Sequence, residues 1–277
     1  MSSPLEAAVA DHYHRDDLYE DILAGLRAAG IEPEAATPED LAPVDEFHTA
    51  GRNTTVHAAE MLSPGVGDHV LDAGCGLGGT ARCLASQHDC TVTGVDLTHH
   101  YVEVARRLTE LTGLGHRCRF EQGSVLAMPF EAATFDAAVS MHVAMNVSDR
   151  EGMYAELGRV VKPGGRLCCF DVMKGPTEGM RYPVPWAEAE STSFLKTCDE
   201  TLTLLEAAGF GDAEVRNWRT EAVAFFTRML AAVASGPPPL GLHLLTGANT
   251  RDKFRNFAAA IEAHEVEPVF VCVTRTG

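Results

Sequence analysis

Apolar positions recur at helical spacing through residues 1 to 30. After a Pro- and Glu-rich interruption from Glu32 to Pro43 the same spacing returns from Thr49 to Leu62. Ser63-Pro64-Gly65 ends that pattern, and short apolar runs then alternate with helical ones, as in a parallel sheet. The runs that read as strands are His69 to Asp72, Thr91 to Asp96, Arg117 to Phe120, Phe135 to Ser140, Arg166 to Asp171, Ala213 to Arg216 and Val269 to Thr274. Helices are predicted over Gly79 to Gln87, His99 to Thr112, Asp149 to Val161 and Asp199 to Ala208, the last stopped by Gly209. The pattern predicts an α/β fold with a doubly wound, mostly parallel sheet of seven strands, and ligands beyond the strands' C-terminal ends.

The organisation expected is a helical N-terminal preface over residues 1–62, followed by one domain over 63–277. Two stretches leave the alternation: 172–194, with Pro176, Pro183, Pro185 and Trp186, and 218–262, a helical block broken by Gly236-Pro237-Pro238-Pro239. Such insertions at strand ends either shape a substrate pocket or pack as ordinary surface.

Composition narrows the function. A chain of 277 residues, 45% hydrophobic, supports one large domain with covering elements. With 39 acidic against 22 basic side chains and a net charge of -17, it would repel a polyanion, so nucleic acid is not the expected substrate. No window approaches the ~20 apolar residues of a membrane span, and no basic start precedes an apolar stretch, so no membrane association and a cytoplasmic location are expected. The eight cysteines form no CxxC pair and lie mostly in apolar segments, reading as reduced and buried. Among twelve histidines the close pairs are His12/His14 and His99/His100, neither at the i,i+4 spacing of a helical metal site, so no metal is expected.

The most informative segment is Val70-Leu71-Asp72-Ala73-Gly74-Cys75-Gly76-Leu77-Gly78-Gly79, an apolar strand ending in an acid and a glycine-dense turn into a helix. Its glycine spacing alone also satisfies a dinucleotide site. A carboxylate two residues before the first glycine is awkward beside a pyrophosphate but suits a ligand carrying an ammonium and a sulfonium, which favours S-adenosylmethionine (SAM) over a nicotinamide cofactor. Asp96, twenty residues after Gly76 at the end of the second strand, is placed to accept both hydroxyls of a ribose in either case. Gln122 to Phe130 follows the third strand and offers backbone donors to an adenine edge, with Leu97 and Met128 as apolar faces or as plain core.

These segments, with Thr134-Phe135-Asp136 and the turn Lys162-Pro163-Gly164-Gly165 before the fifth strand, resemble the class I SAM-dependent methyltransferases. The resemblance covers most of the chain and is to the subgroup around ubiquinone/menaquinone C-methyltransferases and sarcosine/dimethylglycine N-methyltransferases. It implies that Asp72, Gly74, Gly76 and Gly78 line the methionine part, that Asp96 holds the ribose, and that Ser124 and Val125 face adenine. Met141 and His142 would border the sulfonium. Where Ser124 stands relatives often carry an acid, so this chain departs from the pattern at the adenine amine. Asp11-His12-Tyr13-His14 with Leu18-Tyr19 resembles the lid segment of related N-methyltransferases, in which Tyr13 and Tyr19 would exclude water; the alternative is packing at the domain edge. Gly51, in Phe47 to Arg52, would lie near the cofactor carboxylate, and Arg52 is either a ligand or a surface charge.

On the acceptor side, His142 and Asn146 leave the fourth strand beside the expected sulfonium. An imidazole there either takes a proton from an amine or a phenol or orients its neighbours. The resemblance implies methyl transfer to the nitrogen of a small amine or amino-acid derivative. The alternatives are C- or O-methylation of a quinone-like or phenolic small molecule, a non-catalytic SAM-binding protein, and a nicotinamide-dependent oxidoreductase. An apolar pocket around Trp186, Phe194, Leu242 and His243 would favour the quinone-like or phenolic acceptor, and acidic or cation-binding aromatic groups the amine.

Overall fold

The computed structural model describes residues 6, 17–233, 236, 238–247 and 249–277. Helices α1 (Leu18–Ala28), α2 (Pro38–Asp45) and α3 (Arg52–Leu62) precede the sheet. The alternation follows: β1 (His69–Ala73), α4 (Gly79–Gln87), β2 (Thr91–Asp96), α5 (His99–Leu111), β3 (Cys118–Gln122), β4 (Phe135–Met141), α6 (Arg150–Val160) and β5 (Val161–Lys174). The chain closes with α7 (Cys198–Ala207), β6 (Phe210–Asn217), α8 (Arg219–Val233), α9 (His243–Thr246), α10 (Thr250–Glu262) and β7 (Val266–Arg275).

The seven strands form one sheet in the order β3-β2-β1-β4-β5-β7-β6, with β7 antiparallel to both neighbours and the remaining pairs parallel. Successive side chains of a strand point to opposite faces, so both faces of this sheet are apolar. Val70, Val92, Val139 and Phe170 pack under α3, α4 and α5, whereas Leu71, Ala138, Leu167 and Val271 pack under α6 and α7. This is the doubly wound α/β architecture that the sequence pattern predicts.

Four elements differ from the pattern. The stretch read as an interruption contains α2, because Thr37 accepts from the Asp40 N–H at 3.3 Å while Asp40 accepts from the Thr37 N–H at 2.8 Å, and Pro38 occupies the first helical position where no N–H is needed. β5 begins at Val161, which pairs with Phe135; a bulge over residues 162–165 follows, and register resumes at Ala137 opposite Arg166. β6 and β7 run several residues beyond their apolar centres, β6 because Phe210 to Asn217 pair with β7, and β7 because Val266 to Pro268 pair with the end of β5.

Two apolar clusters lie beyond the sheet's own core. One joins α1 to α5 through Leu18, Ile22, Leu26, Val104 and Leu108. The other gathers Trp186, Phe226, Phe254, Phe257 and Ile261 from α8, α10 and the 172–194 insertion around Met145. Lys253, almost fully buried, ties α10 to that insertion through Glu188 at 2.7 Å. Among the described residues no helix is long and apolar enough to cross a membrane.

Candidate active site

One cavity runs along the C-terminal ends of β1, β2 and β4 and continues under the two apolar clusters. Its floor is the turn after β1. Gly74 has φ +81° and an added Cβ would lie 2.2 Å from Val143, so only glycine fits between this turn and the segment after β4. Gly76, at φ +51°, faces open space within 4 Å, leaving its backbone accessible to a ligand.

Two carboxylates face this turn. Asp96 accepts the Gly76 N–H at 2.9 Å with one oxygen and the Thr98 N–H at 2.8 Å with the other, and each oxygen keeps lone pairs for a diol. Asp72 is 1% exposed and its Oδ2 has no partner among the described residues. Burial, reinforced by the charge of Asp96, pushes the Asp72 carboxyl up to about 7. An unpaired buried acid beside a second acid calls for a cationic ligand, which the ammonium and sulfonium of SAM supply. At the far end of the same groove Leu97, Val125 and Leu126 offer apolar faces.

Behind the turn, Arg82 is fully buried. It donates to the Leu77 carbonyl at 2.7 Å and to Thr109 Oγ1 at 2.9 Å, and it forms an ion pair with Asp45 at the end of α2. Asp45 itself lines the cavity. α2 is thereby pinned to the glycine turn by one guanidinium.

The second half of the cavity begins after β4. His142 has φ +56° and donates its N–H to the Phe170 carbonyl at 2.7 Å; the next two N–H groups, of Val143 and Ala144, both donate to Asp171 Oδ1 at 3.0 Å. His142 Nε2 is buried and has no hydrogen-bond partner among the described residues. Burial, with His48 nearby, holds its pKa well below the ordinary histidine value, so the ring is neutral near pH 7. His48 has its ring centroid 6.1 Å away and is also neutral, lowered to about 4 by burial, but both its nitrogens are engaged, by Thr54 Oγ1 at 3.0 Å and Thr55 Oγ1 at 3.1 Å. Thr55 in turn donates to buried Glu46, which Arg52 grips at 2.8 Å.

Beyond the two histidines the wall is apolar: Phe47, Met145, Trp186, Phe226, Leu242 and Phe257 are among its residues. The rings pack edge to face on one another, Trp186 on Phe257 at 5.0 Å and Phe226 on Phe257 at 5.1 Å between centroids.

The structure brings Asp72, Gly74, Gly76, Asp96, Leu97, Ser124, Val125, Met141, His142 and Asn146 into this cavity, together with Trp186 and Leu242. Gly78, Gly51, Phe194 and His243 do not line it, and neither does Tyr19, whose ring lies 3.4 Å beneath the Arg107 guanidinium. Tyr13 lies outside the described residues. Arg52 is engaged with Glu46 and Glu39 and does not reach the cavity. Sequence reasoning missed Glu6, Asp45, His48, Thr49 and the phenylalanines of α8 and α10. The capping signature at Thr37 was the available signal for Asp45; the others carry none.

A family model described as a methyltransferase domain matches residues 71–169. An O-methyltransferase of Pyrenophora dematioidea is 30% identical over 214 residues, 76% of this chain and 78% of that protein. A sterol 24-C-methyltransferase of Aspergillus fumigatus is 35% identical over 172 residues, 60% of this chain and 46% of that protein. The structure of phosphoethanolamine N-methyltransferase 2 of Haemonchus contortus superposes with a TM-score of 0.76 at 18% identity, over 97% of this chain and 61% of that one, which shows a shared fold. The chain belongs to the class I SAM-dependent methyltransferases. It is an enzyme that uses SAM to methylate a small molecule. The two relatives are named for transfer to oxygen and to carbon, so the atom methylated here is a question for the cavity itself.

Proposed function

We propose that the acceptor is a predominantly apolar small molecule methylated on a hydroxyl oxygen, of the phenolic or quinol-like kind. The observation that carries this reading is the meeting of an aromatic wall with a neutral, unpartnered imidazole, His142, beside the glycine turn. Of the four acids among the described residues that line the cavity, Asp72 and Asp96 face the glycine turn, Asp45 is paired with Arg82 and Glu6 accepts from Ser124, which gives the amine acceptor implied by the resemblance little support. The helices of residues 17–62 and the insertions at 172–194 and 218–262 are assigned to shaping the acceptor end and closing it to water.

Asp72 and the backbone of the glycine turn hold the methionine part, Asp96 the ribose, and Leu97 and Val125 the adenine faces. When bound, SAM supplies an activated methyl group whose departure neutralises a sulfonium. The chain's own task is to align the acceptor oxygen and to remove its proton. His142 Nε2 is the group for that proton. His48, whose nitrogens the two threonines engage, fixes the opposite side of the passage. Asp171 acts through the backbone, holding Val143 and Ala144 so that His142 keeps its left-handed conformation.

A series of hydroxyl acceptors of rising apolar area tests this. With roughly 25 cal/mol per Å² of buried apolar surface, kcat/KM should climb about tenfold for each ~55 Å² added. A flat or falling series would contradict the apolar chamber as the acceptor site.

A further inference from the structure

The end of α2 meets the glycine turn through more than its ion pair. The Asp45 carbonyl oxygen and Oδ1 stand 2.5 Å and 2.8 Å from where a Cβ on Gly79 would lie, so α2 ends against the first residue of α4. Asp45 Oδ2 is spent on Arg82. Its Oδ1 is buried without a hydrogen-bond partner among the described residues, and Asp45 lines the cavity. Two residues along α4, the Ala81 N–H donates to Asp72, whose Oδ2 is likewise buried and unpartnered among the described residues. Two carboxylates from separate elements thus meet the first turn of one helix beside one cavity, each keeping an oxygen that no described donor satisfies. Burying such oxygens is costly unless a ligand brings the missing donors.

We propose that Asp45 is a binding residue for the cofactor's ammonium, which its Oδ1 shares with Asp72 Oδ2. The inference rests on the placing of the methionine part at the glycine turn. An ammonium carries three N–H donors, enough for both oxygens, and the bonds are charge-assisted. The sulfonium has no N–H, so it attracts an acid without satisfying it. Arg82 opposes the burial that raises the Asp45 carboxyl above the ordinary range, and it does so from Oδ2, leaving Oδ1 for the ligand. Phe47, His48 and Thr49 follow Asp45 directly and line the cavity as well. The ammonium therefore fastens the connection between α2 and α3, so part of the cofactor affinity comes from a residue that precedes the sheet.

Calorimetric titration of the full-length protein tests this with two ligands: S-adenosylhomocysteine, and its analogue carrying hydrogen in place of the α-amine. The wild type should bind the analogue on the order of 100-fold more weakly, as expected for two hydrogen bonds to charged groups. The double variant Asp45→Ala with Arg82→Met removes Oδ1 without changing the net charge, and should lower that ratio about tenfold. Asp45→Asn, which disturbs the fold less and keeps an acceptor oxygen, should lower it by a smaller factor. Because each ratio is taken within one variant, a general loss of folded protein cancels. Asp72→Asn separates the two ways of failing. A ratio that falls in Asp72→Asn but stays at the wild-type value in the double variant would overturn the role of Asp45 alone. A ratio unchanged in both would overturn it together with the placing of the methionine part.

Discussion

Asp72 and His142 are each buried with one polar atom unpartnered among the described residues, and each is shifted toward its neutral form. For Asp72 the consequence is a pH-dependent affinity. Its carboxyl, raised to about 7, carries a proton below that pH, and a cationic ligand requires the carboxylate. Affinity for SAM should therefore rise as pH increases toward 7, by up to tenfold per pH unit, and level off above it. Asp72→Asn should lower the plateau and remove that rise relative to the wild type; titrations at several pH values check this, and an unchanged slope in the variant would refute the role given to Asp72. For His142, replacement by Asn preserves a side chain tolerant of positive φ while removing the imidazole. kcat should fall roughly a hundredfold, the low end of general-base contributions, with S-adenosylhomocysteine binding unchanged. A parallel loss of binding would instead mark His142 as part of the cofactor site.

Two junctions between elements carry the geometry. The first is the Arg82–Asp45 ion pair, which joins α2 to the glycine turn and to α5 and is buried on both sides. Breaking a buried pair from one side leaves a stranded charge, so Arg82→Met should cost about 3–5 kcal/mol in denaturant unfolding, whereas Arg82→Met with Asp45→Asn should recover much of it. Equal losses in the two variants would mean that the guanidinium's bonds to Leu77 and Thr109 matter more than the pair. The second junction is Asp171 on β5, which holds the segment after β4 by two backbone N–H groups. Asp171→Asn retains an acceptor oxygen but loses its charge, and should reduce kcat by roughly tenfold with little change in cofactor affinity.

The elements themselves were largely legible in the sequence, since short apolar runs between helical ones and the glycine turn are local patterns. So were Asp72, Asp96 and the segment after β4, whose places are fixed by strand ends. Three features were not legible for physical reasons. α2 was hidden because its proline and acid content reads as an interruption unless the capping box at Thr37 is weighed. Tyr19 has the same composition whether it covers a ligand or stacks under Arg107, and only the packing distinguishes the two. Glu6 meets Ser124 across 118 residues, a pairing that no spacing rule encodes.

At the scale of the whole molecule, strand ends and the glycine turn build one half of the cavity, while the two insertions outside the alternation supply most of its aromatic residues. That division suits relatives named for O- and C-methyl transfer on one fold. We propose that selection in this chain rests on those aromatic rings and on the His142 imidazole, whose Nε2 has no hydrogen-bond partner among the described residues. The most direct measurement is transfer of labelled methyl from SAM to an apolar aromatic acceptor bearing both a phenolic hydroxyl and an amine, with the labelled atom identified in the product. The account predicts a methyl ether, formed about a hundredfold more slowly by His142→Asn. Label on nitrogen, at a rate indifferent to His142, would contradict it.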